Sequence, residues 1–163
     1  MKASQGSLGG SKVAQTRSTD APPGADQDLG WAAGFADGES CIHITRAANR
    51  GRPSYRLGVS VAQNNLEVLE HFRRTVGVRS GLYKTKRQAN HKRQCYTLNY
   101  TGRYASEAIE KLLPHFVGKR NQALTALRFW VEGQFGAHRR GRRVDDAVQE
   151  IRHRYYLELR AMK

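Results

Sequence analysis

Nine consecutive residues, Ala32-Ala33-Gly34-Phe35-Ala36-Asp37-Gly38-Glu39-Ser40, constrain this chain more than any other stretch. With Leu29-Gly30-Trp31 before them, they read as a helix of small residues that runs directly into a carboxylate and then a strand. A glycine inside a helix costs about 1 kcal/mol relative to alanine, so Gly30 and Gly34 need a compensating reason. Gly30, Ala33 and Gly34 recur at i, i+3 and i+4 on one helical face, where small side chains let a second backbone come close. Asp28 is placed as an N-cap, Asp37-Gly38 end the helix, and Glu39 stands at its tip. The plainer alternative is a tightly packed helix, a turn and a solvated Glu.

The flanking sequence is organised as two similar halves. Residues 40–46 alternate, with Ile42 and Ile44 on one face and Cys41, His43 and Thr45 on the other. Residues 48–53 hold Asn49 and Gly51 and read as a hairpin loop. Residues 55–61 alternate again, Tyr55, Leu57, Val59 and Val61 against Arg56, Gly58 and Ser60. Asn64 with Glu67 makes a capping box, Leu69, Phe72 and Val76 a helical stripe, and Gly77 a helix end. The second half repeats the order. It has a strand over 82–87 with Lys84 and Lys86 on one face, a turn over 88–91, and a strand over 94–100. A helix follows over 104–113, ended by Pro114. A further helix over 119–132 directs Ala123, Leu127, Trp130 and Val131 inward. A last helix carries Val144, Val148, Ile151, Tyr155, Leu159 and Met162.

The predicted fold is therefore α+β, in the order αββαββα. A four-stranded antiparallel saddle sheet packs on helices, and helices are added at the C-terminus. Three segments are expected: a disordered stretch over 1–27, rich in Ser, Gly and Ala; a domain over 28–135; and a basic loop with a C-terminal helix over 136–163. The composition of 1–27, Ser-rich with few acids, is also compatible with an organelle targeting peptide.

Charge narrows the function. The chain has 28 Lys+Arg against 14 Asp+Glu, a net +14, which points to a polyanionic partner. Residues 40–66 contain four arginines and no acid, and residues 71–106 contain nine Lys+Arg and no acid. These stretches alternate as strands do, unlike a basic amphipathic helix lying on a membrane. No apolar run approaches the ~18 residues of a membrane span. The two cysteines, Cys41 and Cys95, form neither a zinc spacing nor a disulfide framework. No glycine-rich phosphate loop follows a strand, which argues against a nucleotide cofactor, and the six histidines lack ligand spacing. A two-stranded ribbon fits the DNA major groove. On that face the expected DNA contacts are His43, Thr45, Arg56, Ser60, Lys84, Lys86 and Thr97. Arg50, Arg52, Arg87, Lys92 and Arg93, on loop tips, are placed to reach phosphates or flanking bases. The 139–143 arginine cluster is either a backbone grip or a solvated loop.

The nine-residue run and the element order resemble the LAGLIDADG homing endonucleases, the resemblance covering roughly 29–135. It implies a sequence-specific, intron-encoded type of double-strand DNA endonuclease that hydrolyses phosphodiester bonds with Mg2+ or another divalent cation such as Mn2+, and that works inside the cell with DNA. It implies that Glu39 and the Gly38 carbonyl bind metal, Glu39 standing where the family usually has Asp. It implies that Asp37 stabilises the helix ends, that Gln63 orders water, and that Lys119 favours the transition state's negative charge. The chain has one copy of the motif, so a homodimer through Gly30, Ala33, Gly34 and Asp37 is expected, acting on a pseudo-palindromic site. A non-cleaving DNA- or RNA-binding protein on the same fold, a maturase or transcription regulator, is the alternative.

Overall fold

The computed structural model describes residues 25–49, 51–85, 93–135 and 144–163. The expected turn over 88–91, the arginine cluster over 139–143 and nearly all of the expected 1–27 segment lie outside the described residues, as do Arg50, Lys86, Arg87 and Lys92. The described elements are α1 (Ala25–Glu39), β1 (Ser40–Asn49), β2 (Arg52–Gln63), α2 (Leu66–Val76), β3 (Gly81–Lys84), β4 (Tyr96–Thr101), α3 (Arg103–Leu112), a 3-10 turn (Leu113–His115), α4 (Arg120–Glu132) and α5 (Asp146–Ala161). The four strands form one antiparallel sheet in the order β1-β2-β4-β3. The αββαββα order is thus realised, with α4 and α5 added.

Period-2 alternation gives the sheet two unlike faces. Ile42, Ile44, Tyr55, Leu57, Val59, Val61, Leu98 and Tyr100 are buried on one face against the helices. They share a core with Phe72 of α2, Ile109 of α3, Phe129 of α4, and Tyr155 and Leu159 of α5. The C-terminal helix therefore belongs to the same core as the 28–135 segment. Helix α1 reaches this core through three alanines, Ala32, Ala33 and Ala36, each fully buried. Their single methyl groups set how closely α1 lies against the sheet and α3.

Several local expectations shift. Helix α1 starts at Ala25, so Asp28 lies inside it and is not its cap. Helix α2 is capped by Asn65, whose Oδ1 accepts from the Glu67 N–H at 3.0 Å, one residue later than expected. Its C-terminus closes as predicted, with Gly77 left-handed at φ 63° and its N–H donating to Arg73 O, and Lys111 Nζ of α3 adds a bond to Val76 O at 2.9 Å. Pro114 does end α3, through the 3-10 turn. In α4 the buried set is Ala123, Thr125, Ala126 and Phe129. Val131 is 72% exposed, because it lies two residues beyond Phe129 and a helix turns 100° per residue.

Helix α5 is pinned to α4 by an unusual contact. Arg152 is 5% exposed, and its Nε and Nη2 donate to Gly133 O at 2.8 and 2.6 Å. Its guanidinium lies 4.0 Å from the Phe135 ring centroid. Burial lowers the pKa of this guanidinium from its ordinary value. The cation faces the C-terminal carbonyl end of α4, where a helix dipole favours positive charge.

Candidate metal centre and nucleic-acid interface

The end of α1 is built from orphan groups. The last four carbonyls of a helix lack intrahelical partners. Here Ala36 O accepts from Ser40 Oγ at 2.6 Å, and Asp37 O accepts from Lys119 Nζ. No bond from outside the helix reaches the Gly38 carbonyl among the described residues. Gly38 and Glu39 are exposed, whereas Ser40 beside them is buried. Two oxygen donors, one of them a carboxylate, thus stand at one helix tip. Hard oxygen donors suit Mg2+ or Ca2+. Among the described residues no group of three or more His, Cys, Asp or Glu comes together.

Asp37 has a different task. Its Oδ2 accepts from the N–H groups of Val117 at 2.9 Å and Gly118 at 3.1 Å, and its Oδ1 from that of Lys119 at 2.8 Å. Burial pushes the Asp37 carboxyl up. The three N–H donors, with the Lys119 ammonium, outweigh that and hold it below its ordinary 3.8. Both oxygens are engaged inside the chain, tying α1 to the loop that starts α4. Lys119 is thereby fixed twice, by its N–H on Asp37 and by its ammonium on the Asp37 carbonyl, two residues from Glu39.

Gln63 closes the same end. In the β1–β2 register Ser40 pairs with Val61, so Gln63, two residues on, stands level with the Gly38–Glu39 tip. Its Oε1 accepts from the Asn64 N–H at 2.8 Å, so that oxygen is engaged with its own turn. Glu39, Gly38, Gln63 and Lys119 are gathered at one end of the sheet.

The expected interface stripe is partly corrected. Ala33 is fully buried in its own core, because at three residues from Gly30 it points toward α1's buried side. The open face carries Gly34 and Gly38, where an added Cβ would meet nothing within 4 Å, and the half-buried Gly30, where it would only touch His115 at 4.0 Å. Trp31, 40% exposed, flanks this strip and stacks on Phe35 at 5.6 Å.

The outer sheet face is polar and free of acids: none of the four strands contains Asp or Glu. Cross-strand register places Cys41 with Ser60, Ser60 with Asn99, Thr45 with Arg56, and Thr97 with Tyr83 on this face. Thr45 Oγ1 donates to Arg56 O at 3.3 Å, and Thr97 shares a hydroxyl bond with Thr85 at 3.0 Å. The His43 ring covers Gly58, its cross-strand partner. Lys84 is corrected: it pairs with Tyr96, on the side of Leu82 and Leu98. Tyr83, 59% exposed, takes the outer position instead. Arg52 pairs with Asp146 at 3.7 Å, and Arg93 is exposed just before β4. Sequence reading leaves Tyr83 off this face, and its pairing with Thr97 brings it out; Asn99, read on the polar face of its strand, lies there beside Ser60.

The sequence profile of the LAGLIDADG endonucleases matches residues 32–125. The solved structure of the archaeal intron-encoded homing endonuclease I-Vdi141I complexed with DNA superposes with a TM-score of 0.70 at 18% identity, covering 85% of this chain and 85% of that one. The homing endonuclease I-CvuI, in complex with its target in the presence of Ca, gives a TM-score of 0.56 at 18% identity over 83% of this chain and 96% of that one. The LAGLIDADG homing endonuclease I-GzeII, in complex with its DNA target, gives 0.61 at 12% identity over 82% of this chain but 43% of that one. No curated protein sequence matches the chain closely enough to count as a relative.

Proposed function

The chain belongs to the LAGLIDADG endonuclease family, and from that membership we propose that it is a sequence-specific double-strand DNA endonuclease that works as a homodimer with a divalent cation. The observation that carries the reading is the single exposed Glu39 at the tip of a helix whose open face is lined by glycine. Two copies joined along Gly30, Gly34 and Gly38 bring two Glu39 carboxylates together and complete the donor set. The chain spans 85% of one similar DNA-bound structure and 43% of another.

Each residue then has a role. Glu39 and the Gly38 carbonyl of both copies would hold Mg2+ or Mn2+. When bound there, the cation supplies an activated water and neutralises phosphate charge. Lys119, fixed on the Asp37 carbonyl, presents a cation where negative charge builds in the transition state. Gln63, its Oε1 committed to Asn64, keeps its amide N–H2 to orient water. Asp37 holds the Lys119 loop in place. The acid-free sheet face lies along the duplex, with His43, Thr45, Arg56, Ser60 and Thr97 at base edges and Arg52 and Arg93 near phosphates.

The test is cleavage of a plasmid library with Mg2+. Glu39→Gln keeps the shape and removes the charge, so it should abolish cutting and leave DNA binding within a few-fold. Retained cutting would remove Glu39 from the site. A wild-type protein that binds RNA or DNA yet cuts nothing would favour the maturase or regulator reading.

A further inference from the structure

Gly58 is not explained by the backbone, since β2 is regular there and its φ carries no left-handed strain. It is explained by its neighbour. A Cβ built on Gly58 would lie 2.6 Å from His43 Nε2, 2.9 Å from Cε1 and 3.3 Å from Cδ2. The imidazole edge therefore occupies the space any side chain at 58 would need, and Gly58, central in the sheet and backed by Leu57 and Val59, is buried beneath it. At the other end of the ring, Nδ1 lies 3.2 Å from Cys41 O. A carbonyl only accepts, so Nδ1 carries the proton. In the neutral ring Nε2 is then a bare acceptor. Among the described residues no protein donor reaches it. The half-buried ring is thus fixed at Nδ1 by the Cys41 carbonyl and lies in space left open by the missing side chain of Gly58.

We propose that Gly58 is a positioning residue for base readout, and that the seated His43 uses Nε2 to select a base that offers an amine in the major groove. This inference rests on the DNA-reading sheet face proposed above. On a given strand, adenine presents N6–H2 and cytosine N4–H2, while guanine and thymine present oxygen acceptors at the corresponding position. A fixed acceptor admits the first pair and rejects the second. An arginine or lysine in its place would do the reverse. The readout at this position is thus amino against keto, a pattern distinct from purine against pyrimidine or A·T against G·C.

The experiment is selection of bound half-sites from a randomised DNA pool by wild type, His43→Ala, Gly58→Ala and the double variant, with thermal melts of all four. Wild type should show one position in each half-site, related by the two-fold axis, where A and C are preferred over G and T by roughly tenfold. His43→Ala should flatten that position alone. Gly58→Ala should flatten the same position, because its methyl displaces the ring. The double variant should be no worse than either single one, and should melt above Gly58→Ala because the clash is gone. If Gly58→Ala keeps the preference, or flattens a different position, the seat is overturned while the DNA-reading face stands. A purine/pyrimidine or A·T/G·C pattern at the His43 position overturns the acceptor assignment. Wild type that selects no sequence at all overturns both this inference and the proposed function.

Discussion

Replacing Asp37 by alanine should loosen the active end of the molecule without touching the hydrophobic core. The carboxylate accepts three backbone N–H bonds, at 2.8, 2.9 and 3.1 Å, from residues eighty or more positions later in the chain. These N–H groups are near solvent, so water replaces the lost acceptor and only the net value of each bond is forfeited. Taken at the lower end of the usual range, the three bonds amount to about 2 kcal/mol. For a chain of this size that is a fall of about 4–8 °C in melting temperature. Asp37→Asn keeps one acceptor oxygen and loses the charge, so it should fall by about half as much. The assay is chemical denaturation at fixed protomer concentration, because any dimer makes stability concentration-dependent. The pH dependence gives a second check. The folded-state value of Asp37 lies below its ordinary 3.8. Its contribution is therefore complete above about pH 4 and lost as the pH falls through that lower native value. The gap between wild type and Asp37→Asn should be constant at neutral pH and close in acid. A gap that persists to about pH 2, or an Asp37→Ala protein that unfolds with wild type, would refute the capping role.

Other substitutions separate the remaining contacts. Gly34→Leu should leave the fold of one copy intact, since nothing lies within 4 Å of an added Cβ, yet it should convert a dimer to monomer in sedimentation and abolish cleavage. Arg152→Met should destabilise by about 2 kcal/mol by leaving the Gly133 carbonyl without its charged donor; the denaturation midpoint measures this, and an unchanged midpoint would mean that the desolvation of the cation had cancelled its bonds. Gly102→Ala should cost about 1–3 kcal/mol, because Gly102 sits at φ 59° and ψ −127°, a conformation that is strained for any residue with a Cβ.

The sequence was most legible where periodicity and chemistry agreed. Ile42 and Ile44 against His43 and Thr45 fixed both the strand and its faces, and the run into Glu39 located the helix tip. It was least legible where a one-residue phase decides the face. Lys84 lies in a short strand with no strong alternation of its own to set its face; pairing with Tyr96 settles its side and brings out Tyr83. In α4, Val131 and Phe129 are both apolar, and Phe129 is the one that joins the core. Ala33 could be assigned to the open helix face from spacing, but spacing cannot distinguish small residues that meet the chain's own sheet from those that meet empty space. The bonds of Asp37 to residues 117–119 are invisible to any local reading, because they join segments distant in sequence.

The place where α5 ends has a practical meaning. Lys163 Nζ lies 3.4 Å from Cys41 Sγ, and Gln122 Nε2 donates to Met162 O at 3.0 Å, so the last residues sit beside the strand that leaves Glu39. Helix α1 enters at the opposite end, 15 residues away, or about 22 Å at 1.5 Å per residue. Joining two copies into one polypeptide takes a tether from the end of α5 in one copy to the start of α1 in the other. With such a tether the two halves no longer need to be identical. Each His43 and its glycine seat could then be altered alone, and such a fusion would be free of the palindrome that two equal copies would impose.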